Sequence, residues 1–136
     1  MDPDDARARF AGARVARLGT VGPAGEPHLV PVTFACRMDT VYTAVDAKPK
    51  TTRRLKRLAN LESNPAVCLL VDHYSDDWDD LWWVRADGRA HVVPDGPEFG
   101  EAIRSLRAKY PQYADAPPEG PAIVVAVTRW QGWSAA

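Results

Sequence analysis

Residues 41–72 read VYTAVDAKPKTTRRLKRLANLESNPAVCLLVD, which predicts a strand, a basic helix and a second strand in succession. Thr51 or Thr52 is a natural N-cap for the helix, since leucines at helical spacing follow it. The helix should end near Ser63, because Asn64-Pro65 disfavours its continuation. The final run, AVCLLV, is continuously apolar and is typical of a strand buried on both faces.

A cluster of positive charge lies at the start of this helix. The segment Lys48–Arg57 contains six cationic side chains and no acidic one, although the whole chain has a formal net charge of only −1. A helix N-terminus is already positive, because its first backbone N–H groups are free, so cations there are unfavourable without a bound anion. Phosphate is the obvious candidate. The alternative interpretation is a solvated basic face that binds nothing.

Length and composition predict a single cytoplasmic domain over residues 1–136. The chain is long enough for one core and too short for two. A pI near 6.3 argues against a general nucleic-acid binder. The N-terminus lacks the apolar core of a signal peptide, and no apolar run approaches the length of a membrane span. Cys36 and Cys68 lack a C-x-x-C spacing and are predicted to be buried free thiols.

The rest of the chain alternates β-rich runs with helical periods. One helix is predicted from Asp2 to about Phe10, and another begins at Pro97 and carries an apolar stripe. A turn or bulge at Asp87-Gly88 interrupts the longest β-rich run. The predicted strands are Arg14–Val21, His28–Cys36, Val41–Val45, Ala66–Val71, Leu81–Val93 and Ala122–Trp130. About six antiparallel strands with turn punctuation favour a barrel over an open sheet.

This order of segments resembles the split β-barrel flavin and deazaflavin oxidoreductases of the pyridoxamine-phosphate-oxidase-like superfamily. The resemblance covers nearly the whole chain. It rests on the basic helix, the Asn64-Pro65 that ends it, the apolar strand beyond, the acidic DDW loop and the run LWWVRADGRAHVV. The combination of KPK, DDW and LWWVR is similar to an actinobacterial branch described as probable F420-dependent enzymes.

The resemblance implies a mainly β, α+β fold: a six-stranded antiparallel split β-barrel of the FMN-binding type with three peripheral helices. It also implies a homodimer with two cofactor sites at its interface. The implied activity is hydride transfer between reduced F420 and a small organic substrate. An FMN-dependent oxidase or reductase of the same fold, or a flavin- or F420-binding protein without turnover, is the alternative. A nucleic-acid or membrane partner is not expected.

The basic residues are the implied phosphate ligands. Lys56 and Arg57 fall where the superfamily has its phosphate-binding pair, counted back from the Asn-Pro that ends the helix. Lys48 and Lys50 match the KPK of the actinobacterial branch. Many relatives have an arginine just before the helix asparagine, where this chain has alanine. That contact is therefore absent or is supplied by Arg53 or its neighbour Arg54.

One strand is implied to flank the cofactor ring through its backbone, namely Val30, Pro31, Val32 and Thr33. Proline cannot donate a hydrogen bond to a neighbouring strand, so Pro31 predicts an edge strand or a bulge. A ligand can hydrogen-bond to the free backbone of such a strand. A plain edge strand with no ligand explains the proline equally well.

Five tryptophans are candidates for the site or for the dimer interface. Trp82 and Trp83 should point to opposite faces of one strand, so one belongs in the core and the other faces a pocket or a partner subunit. The resembling family uses this region as part of the site, so Trp83 and Arg85, which share a face, are predicted cofactor contacts. Trp78, Trp130 and Trp133 are candidates either to cover a cofactor ring or to seal the dimer, and interface packing is predicted for all three.

The usual catalytic motifs are missing from the sequence. No serine lies in a G-x-S-x-G turn, the three histidines lack metal-ligand spacing, and no glycine-rich phosphate loop is present. This fits the implied activity, because hydride transfer is the chemistry of the cofactor itself. No catalytic residue is therefore assigned. If a proton must be supplied, solvent, Tyr42 or Tyr74 are the candidate donors.

Overall fold

A computed structural model of the protein describes residues 1–45 and 55–136. The described part contains four α-helices and seven strands. In chain order they are α1 Pro3–Ala11, β1 Ala16–Val21, β2 Pro27–Val32, β3 Ala35–Arg37, β4 Thr40–Ala44, α2 Lys56–Ser63, β5 Ala66–His73, β6 Trp82–Val93, α3 Gly96–Lys109, α4 Gln112–Asp115 and β7 Ala122–Ser134, with a short 3-10 turn at Trp78–Asp80.

All seven strands form one antiparallel sheet in the order β2-β1-β5-β6-β7-β4-β3. The pairing of β6 with β7 shifts register between Asp87 and Gly88, which confirms the predicted interruption. A Cβ at Gly88 would collide with the carbonyl oxygen of Ala126, so the strands can approach here only at a glycine. The sheet curls into a half-barrel, and within the described residues β2 and β3 are its two edges.

The α+β class and the curled antiparallel sheet agree with the sequence prediction, but the count of six strands and three helices is wrong. The predicted run His28–Cys36 divides into β2 and β3 because the chain leaves the sheet at Phe34. The backbone N–H of Phe34 donates to the hydroxyl of Tyr110 instead of to a strand. The extra helix, α4, lies in the proline-rich segment that follows α3.

The inner face of the sheet holds the main core. Phe10 of α1 and Leu61 of α2 cover this face and pack against the buried side chains Leu18, Leu69 and Val84 of the central strands. Helix α3 lies on the other side of the sheet, which we call the outer face, over β3, β4 and β7. The outer face of β2, β1, β5 and the first half of β6 therefore has no helix over it within the described residues.

Strand β5 shows the consequence. Its side chains alternate, with Val67, Leu69 and Val71 buried on the inner face and Cys68 and Leu70 exposed on the outer face. The prediction of a strand buried on both faces is wrong for the single chain, because only its inner face meets a packed layer. Cys68 is likewise exposed rather than buried, although both cysteines are free as predicted.

The helix ends follow local capping signals in part. Asp2 caps α1, since its side chain accepts a hydrogen bond of 2.7 Å from the backbone N–H of Asp4. Helix α2 ends at Ser63 as predicted, but it begins at Lys56 after an extended Leu55 that provides no side-chain cap. The predicted caps Thr51 and Thr52 lie outside the described residues. Across 1–45 and 55–136, no helix has the length and apolar character needed to cross a membrane.

Candidate functional site

Strand β2 has a free edge along which a ligand can bind. Among the described residues it pairs only with β1, and Pro31 lies opposite Arg17 in that pairing. This confirms the prediction that Pro31 marks an edge or a bulge. Val30 and Val32 turn their side chains into the core, so only their backbone is available to a ligand at this edge.

The start of α2 lies beside the turn that leads into β2. The Nζ atom of Lys56 lies 3.7 Å from an Oε1 oxygen of Glu26, and both side chains are about half exposed. Arg57 is half-buried, and burial lowers the pKa of its guanidinium. Within the described residues no carboxylate forms an ion pair with Arg57. A partly desolvated cation at an uncapped helix N-terminus is a favourable position for an anion.

Asn60 fixes this helix to the sheet. It is fully buried, and its Nδ2 donates a hydrogen bond of 2.9 Å to the Oγ1 oxygen of Thr20 on β1. Its Oδ1 oxygen has no hydrogen-bond partner among the described residues. Because Arg57 and Asn60 are three positions apart, they lie on the same side of α2, and the buried amide holds the helix start in register with β1.

Trp83 and Arg85 lie together on the outer face, as their spacing predicted, while Val84 and Ala86 between and after them are fully buried. Both line a groove of about 420 Å³ on that face. Arg85 is already engaged there. Its Nε donates to Asp87 Oδ1 at 2.9 Å and its Nη2 donates to Gln131 Oε1 at 2.9 Å. Any contact of Arg85 with a cofactor must therefore use its remaining N–H groups or displace these partners.

The tryptophans separate into two groups. Trp82 packs against the core, with the Arg9 guanidinium 5.4 Å from its ring centroid. Trp130 also packs within the chain, since its indole N–H donates to Asp39 and its ring lies 5.2 Å from that of Phe10. Trp130 is thus partly buried against the inner face of its own chain, and its predicted interface role stays a prediction. Trp78 and Trp133 form the second group and lie on the surface, where 76% and 45% of their area is exposed.

The two tyrosines named as candidate proton donors differ. Tyr42 is buried in a core cluster with Val93 and Val124, so its prediction as a donor is not supported by its packing. Tyr74 is exposed and lines the groove that holds Trp83 and Arg85.

A second concave region lies where β2 ends. It is a pocket of about 620 Å³ lined by Arg14, Val15, Thr33, Tyr110 and Tyr113, with Pro111 and Gln112. The hydroxyl groups of Thr33 and Tyr113 lie 2.8 Å apart. Sequence reasoning predicted Thr33 but missed Arg14 and Tyr113, because they come from segments far apart in the chain. The only local signal is the aromatic Tyr110, which falls at helical spacing in the apolar stripe of the helix that begins at Pro97.

The sequence profile of pyridoxamine 5'-phosphate oxidase matches residues 3–134, nearly the whole chain. The chain belongs to the pyridoxamine 5'-phosphate oxidase family. This confirms the family resemblance that the basic helix, its Asn-Pro end and the following strands suggested. No curated protein matches the chain significantly.

Solved structures with the pyridoxamine 5'-phosphate oxidase fold resemble the whole chain. A conserved hypothetical protein from Mycobacterium tuberculosis is 21% identical with a TM-score of 0.78, over 99% of this chain and 86% of that one. An FAD-binding protein from Mesorhizobium loti is 16% identical with a TM-score of 0.75, over 97% and 92%. A heme-binding protein from Mycobacterium smegmatis is 18% identical with a TM-score of 0.73, over 98% and 57%. At these identities the similarity establishes the fold alone.

In this member of the pyridoxamine 5'-phosphate oxidase family, the predicted ligands Lys48, Lys50 and Arg53 lie outside the described residues. Their role in binding stays a prediction. The predicted ligands that the structure describes fall into three places: Lys56 and Arg57 at the start of α2, Val30–Thr33 at the free edge and end of β2, and Trp83 with Arg85 on the outer face. In the described ranges, no group of three or more histidine, cysteine or acidic side chains is arranged to hold a metal ion.

Proposed function

We propose that this protein is a homodimeric oxidoreductase that transfers a hydride between reduced F420 and a small organic substrate. The observation that carries the proposal is Arg57, a half-buried cation at an uncapped helix start, which no carboxylate of the described residues neutralises. A bound phosphate would compensate this charge and accept hydrogen bonds from the free helix N–H groups.

The free edge of β2 supports an elongated cofactor. The strand is six residues long, so its first and last Cα atoms, five steps of about 3.3 Å apart, lie about 17 Å from each other. Lys56 lies beside Glu26 at the start of β2, and Thr33 lies just past its end. A cofactor with a phosphate at one end and a flat ring at the other matches this arrangement. When bound, such a ring supplies the hydride chemistry, and the protein fixes its position and excludes water.

The choice of F420 over FMN follows from the number of cations. The six cations of Lys48–Arg57 exceed what one phosphate requires, whereas the tail of F420 adds a phosphodiester and carboxylates. FMN is the alternative cofactor, in an oxidase or reductase of the same fold. The FAD-binding protein from Mesorhizobium loti supports a flavin-type cofactor in this fold.

The outer face of the sheet supports the homodimer. Leu29 and Leu70 expose 69% and 38% of their surface there, and Trp133 exposes 45%. A second copy of the chain would bury these apolar side chains. In the arrangement that the family resemblance implies, Trp83 and Arg85 of one protomer contribute to the cofactor site of the other.

Titration of the purified protein with F420 and with FMN, followed by cofactor fluorescence, tests the proposal. We expect F420 to bind more tightly, with an affinity that falls steeply as salt is added. Equal or tighter binding of FMN would assign the protein to the flavin-dependent enzymes. If the protein binds a cofactor but no organic acceptor reoxidises the reduced cofactor in its presence, it is a binding protein without turnover. Absence of binding to both cofactors would refute the proposal.

A further inference from the structure

We propose that the pocket at the end of β2 is the substrate site and that it binds a small planar carboxylate. Arg14 would bind the carboxylate, and the free hydroxyl hydrogen of the Thr33–Tyr113 pair would donate to an oxygen of the same carboxyl group. The inference rests on the proposed function and extends it, since it names the class of substrate that would bind next to the ring of the cofactor at the end of β2.

The shape of the pocket fits a small flat molecule. Its volume of about 620 Å³ lies within the usual range for ligand sites, roughly 300–1,000 Å³. Apolar and aromatic groups form most of its wall. The rings of Tyr110 and Tyr113 meet edge to face, with centroids 5.6 Å apart and planes at 70°. The Arg14 guanidinium lies over the Tyr110 ring, with its Cζ atom 5.8 Å from the ring centroid, so aromatic and cationic groups meet at the same wall of the pocket.

The charge at the pocket is positive. Arg14 donates one hydrogen bond, of 3.1 Å, to the backbone carbonyl of Lys109, which leaves most of its five N–H donors available. No carboxylate in the described part of the chain pairs with it. The ammonium of Lys109 lies 3.8 Å from the ring centroid of Phe34 nearby, and burial followed by the charge of Arg14 lowers its pKa to about 8. Lys109 does not line the pocket and donates a hydrogen bond to the Ala11 carbonyl, so Arg14 is the charged side chain of the pocket wall that favours an anionic ligand.

The hydroxyl pair supplies one hydrogen-bond donor. Thr33 and Tyr113 share a hydrogen bond of 2.8 Å in which either oxygen can donate. Whichever group donates, the hydrogen of the other hydroxyl remains free for a ligand. The hydroxyl of Tyr110 is not available in this way, since it accepts from the Phe34 N–H at 3.1 Å and donates to a backbone carbonyl. Thr33 follows β2 directly, so a ligand here would lie next to the end of the free strand edge.

Calorimetric titration of the full-length protein without cofactor tests the proposal, with cinnamate as the probe and cinnamamide as its neutral counterpart. We expect saturable binding of cinnamate and at least tenfold weaker binding of cinnamamide. Arg14→Gln should remove this preference, and Arg14→Lys should keep part of it. Tyr113→Phe should weaken both ligands a few-fold. The matched control is Arg104→Gln, which removes an exposed arginine on α3 and should bind both ligands as the wild type does.

Equal affinities for the two ligands, or no saturable binding of cinnamate, would overturn the proposal. So would an unchanged preference in a folded Arg14→Gln protein, or amide chemical-shift changes on the outer face instead of around Thr33 and Tyr113. Cofactor titration of the same preparations separates this inference from the proposed function. A wild-type protein that binds F420 but shows no preference for cinnamate refutes the pocket alone, and a wild-type protein that prefers cinnamate but binds neither cofactor refutes the proposed function alone.

Discussion

Replacement of Arg57 by methionine should have effects of opposite sign on cofactor binding and on stability. Methionine keeps most of the aliphatic stem and removes the charge, so packing against the sheet is largely preserved. Arg57 is half-buried without a carboxylate partner in the described residues, and burial lowers its pKa, which means that the fold disfavours its charge. A bound phosphate would reverse this balance.

The magnitudes follow from these surroundings. Loss of a charge-assisted hydrogen bond to phosphate costs about 1.5–3 kcal/mol, so F420 should bind roughly 10- to 150-fold more weakly to Arg57→Met. In the protein without cofactor, removal of a cation from a helix N-terminus should hold or raise the free energy of unfolding, by about 0.3–1 kcal/mol at most. Partial exposure of Arg57 keeps this gain small.

Cofactor fluorescence titration and urea denaturation of the cofactor-free protein measure the two quantities. Arg104→Met is the matched control, because Arg104 is an exposed arginine of α3 that pairs with Glu101, and it should leave cofactor binding unchanged. If Arg57→Met bound cofactor normally while its fold weakened, the arginine would be a structural residue. The anion site at the start of α2 would then be refuted.

Three further predictions concern the helix anchor, the outer face and Lys109. Asn60→Ala leaves the buried hydroxyl of Thr20 without its donor, so the free energy of unfolding should fall by about 1–3 kcal/mol in urea denaturation; an unchanged value would contradict the anchoring role. Light scattering should report about twice the 15.0 kDa chain mass. Leu70→Lys should give monomers, whereas the control Met38→Lys, at another exposed apolar residue, should leave the dimer intact. A wild-type monomer that binds cofactor tightly would exclude a shared site. Burial lowers the pKa of Lys109 from 10.5 to about 8, so between pH 8 and 10.5 the unfolded chain binds more protons than the folded one. The free energy of unfolding of the wild type, relative to that of Lys109→Met, should therefore rise with pH across this window. A difference that falls with pH in denaturation experiments would contradict burial as the cause.

The order of the elements could be predicted because its signals are local. The first helix after Asp2, the break after Ser63 and the bulge at Gly88 each depend on a few neighbouring residues, and all three are confirmed. The division between β2 and β3 could not be predicted, because the group that ends β2 is the hydroxyl of Tyr110, 76 positions away in the chain.

The candidate site was predictable to the same extent. A period of two placed Trp83 and Arg85 on one face, and the structure agrees. The same rule could not reveal that Gln131, on another strand, already accepts a hydrogen bond from Arg85. The pocket that joins Arg14 to Tyr113 depends on how α3 and α4 pack against the start of β1, which no sequence period encodes. The prediction that β5 is buried on both faces is wrong for a related reason. A continuous apolar run indicates a strand, but it does not indicate which face of that strand packs against another layer.

The bulge at Asp87/Gly88 divides β7 into two halves with opposite parity. Asp87 pairs with Arg129 and Gly88 pairs with Val127, so Thr128 is the one residue of β7 without a partner on β6. On one side of it the odd-numbered residues face outward, and on the other side Val127 and Val125 face the core. Deletion of Thr128 would make the pairing regular and would leave the other side chains of β7 on their present faces, but it would remove the local bend and the extra twist that a bulge gives its strand. One unpaired residue thus lets the even-numbered Trp130 and the odd-numbered Val127 face the same core from two halves of one bent strand.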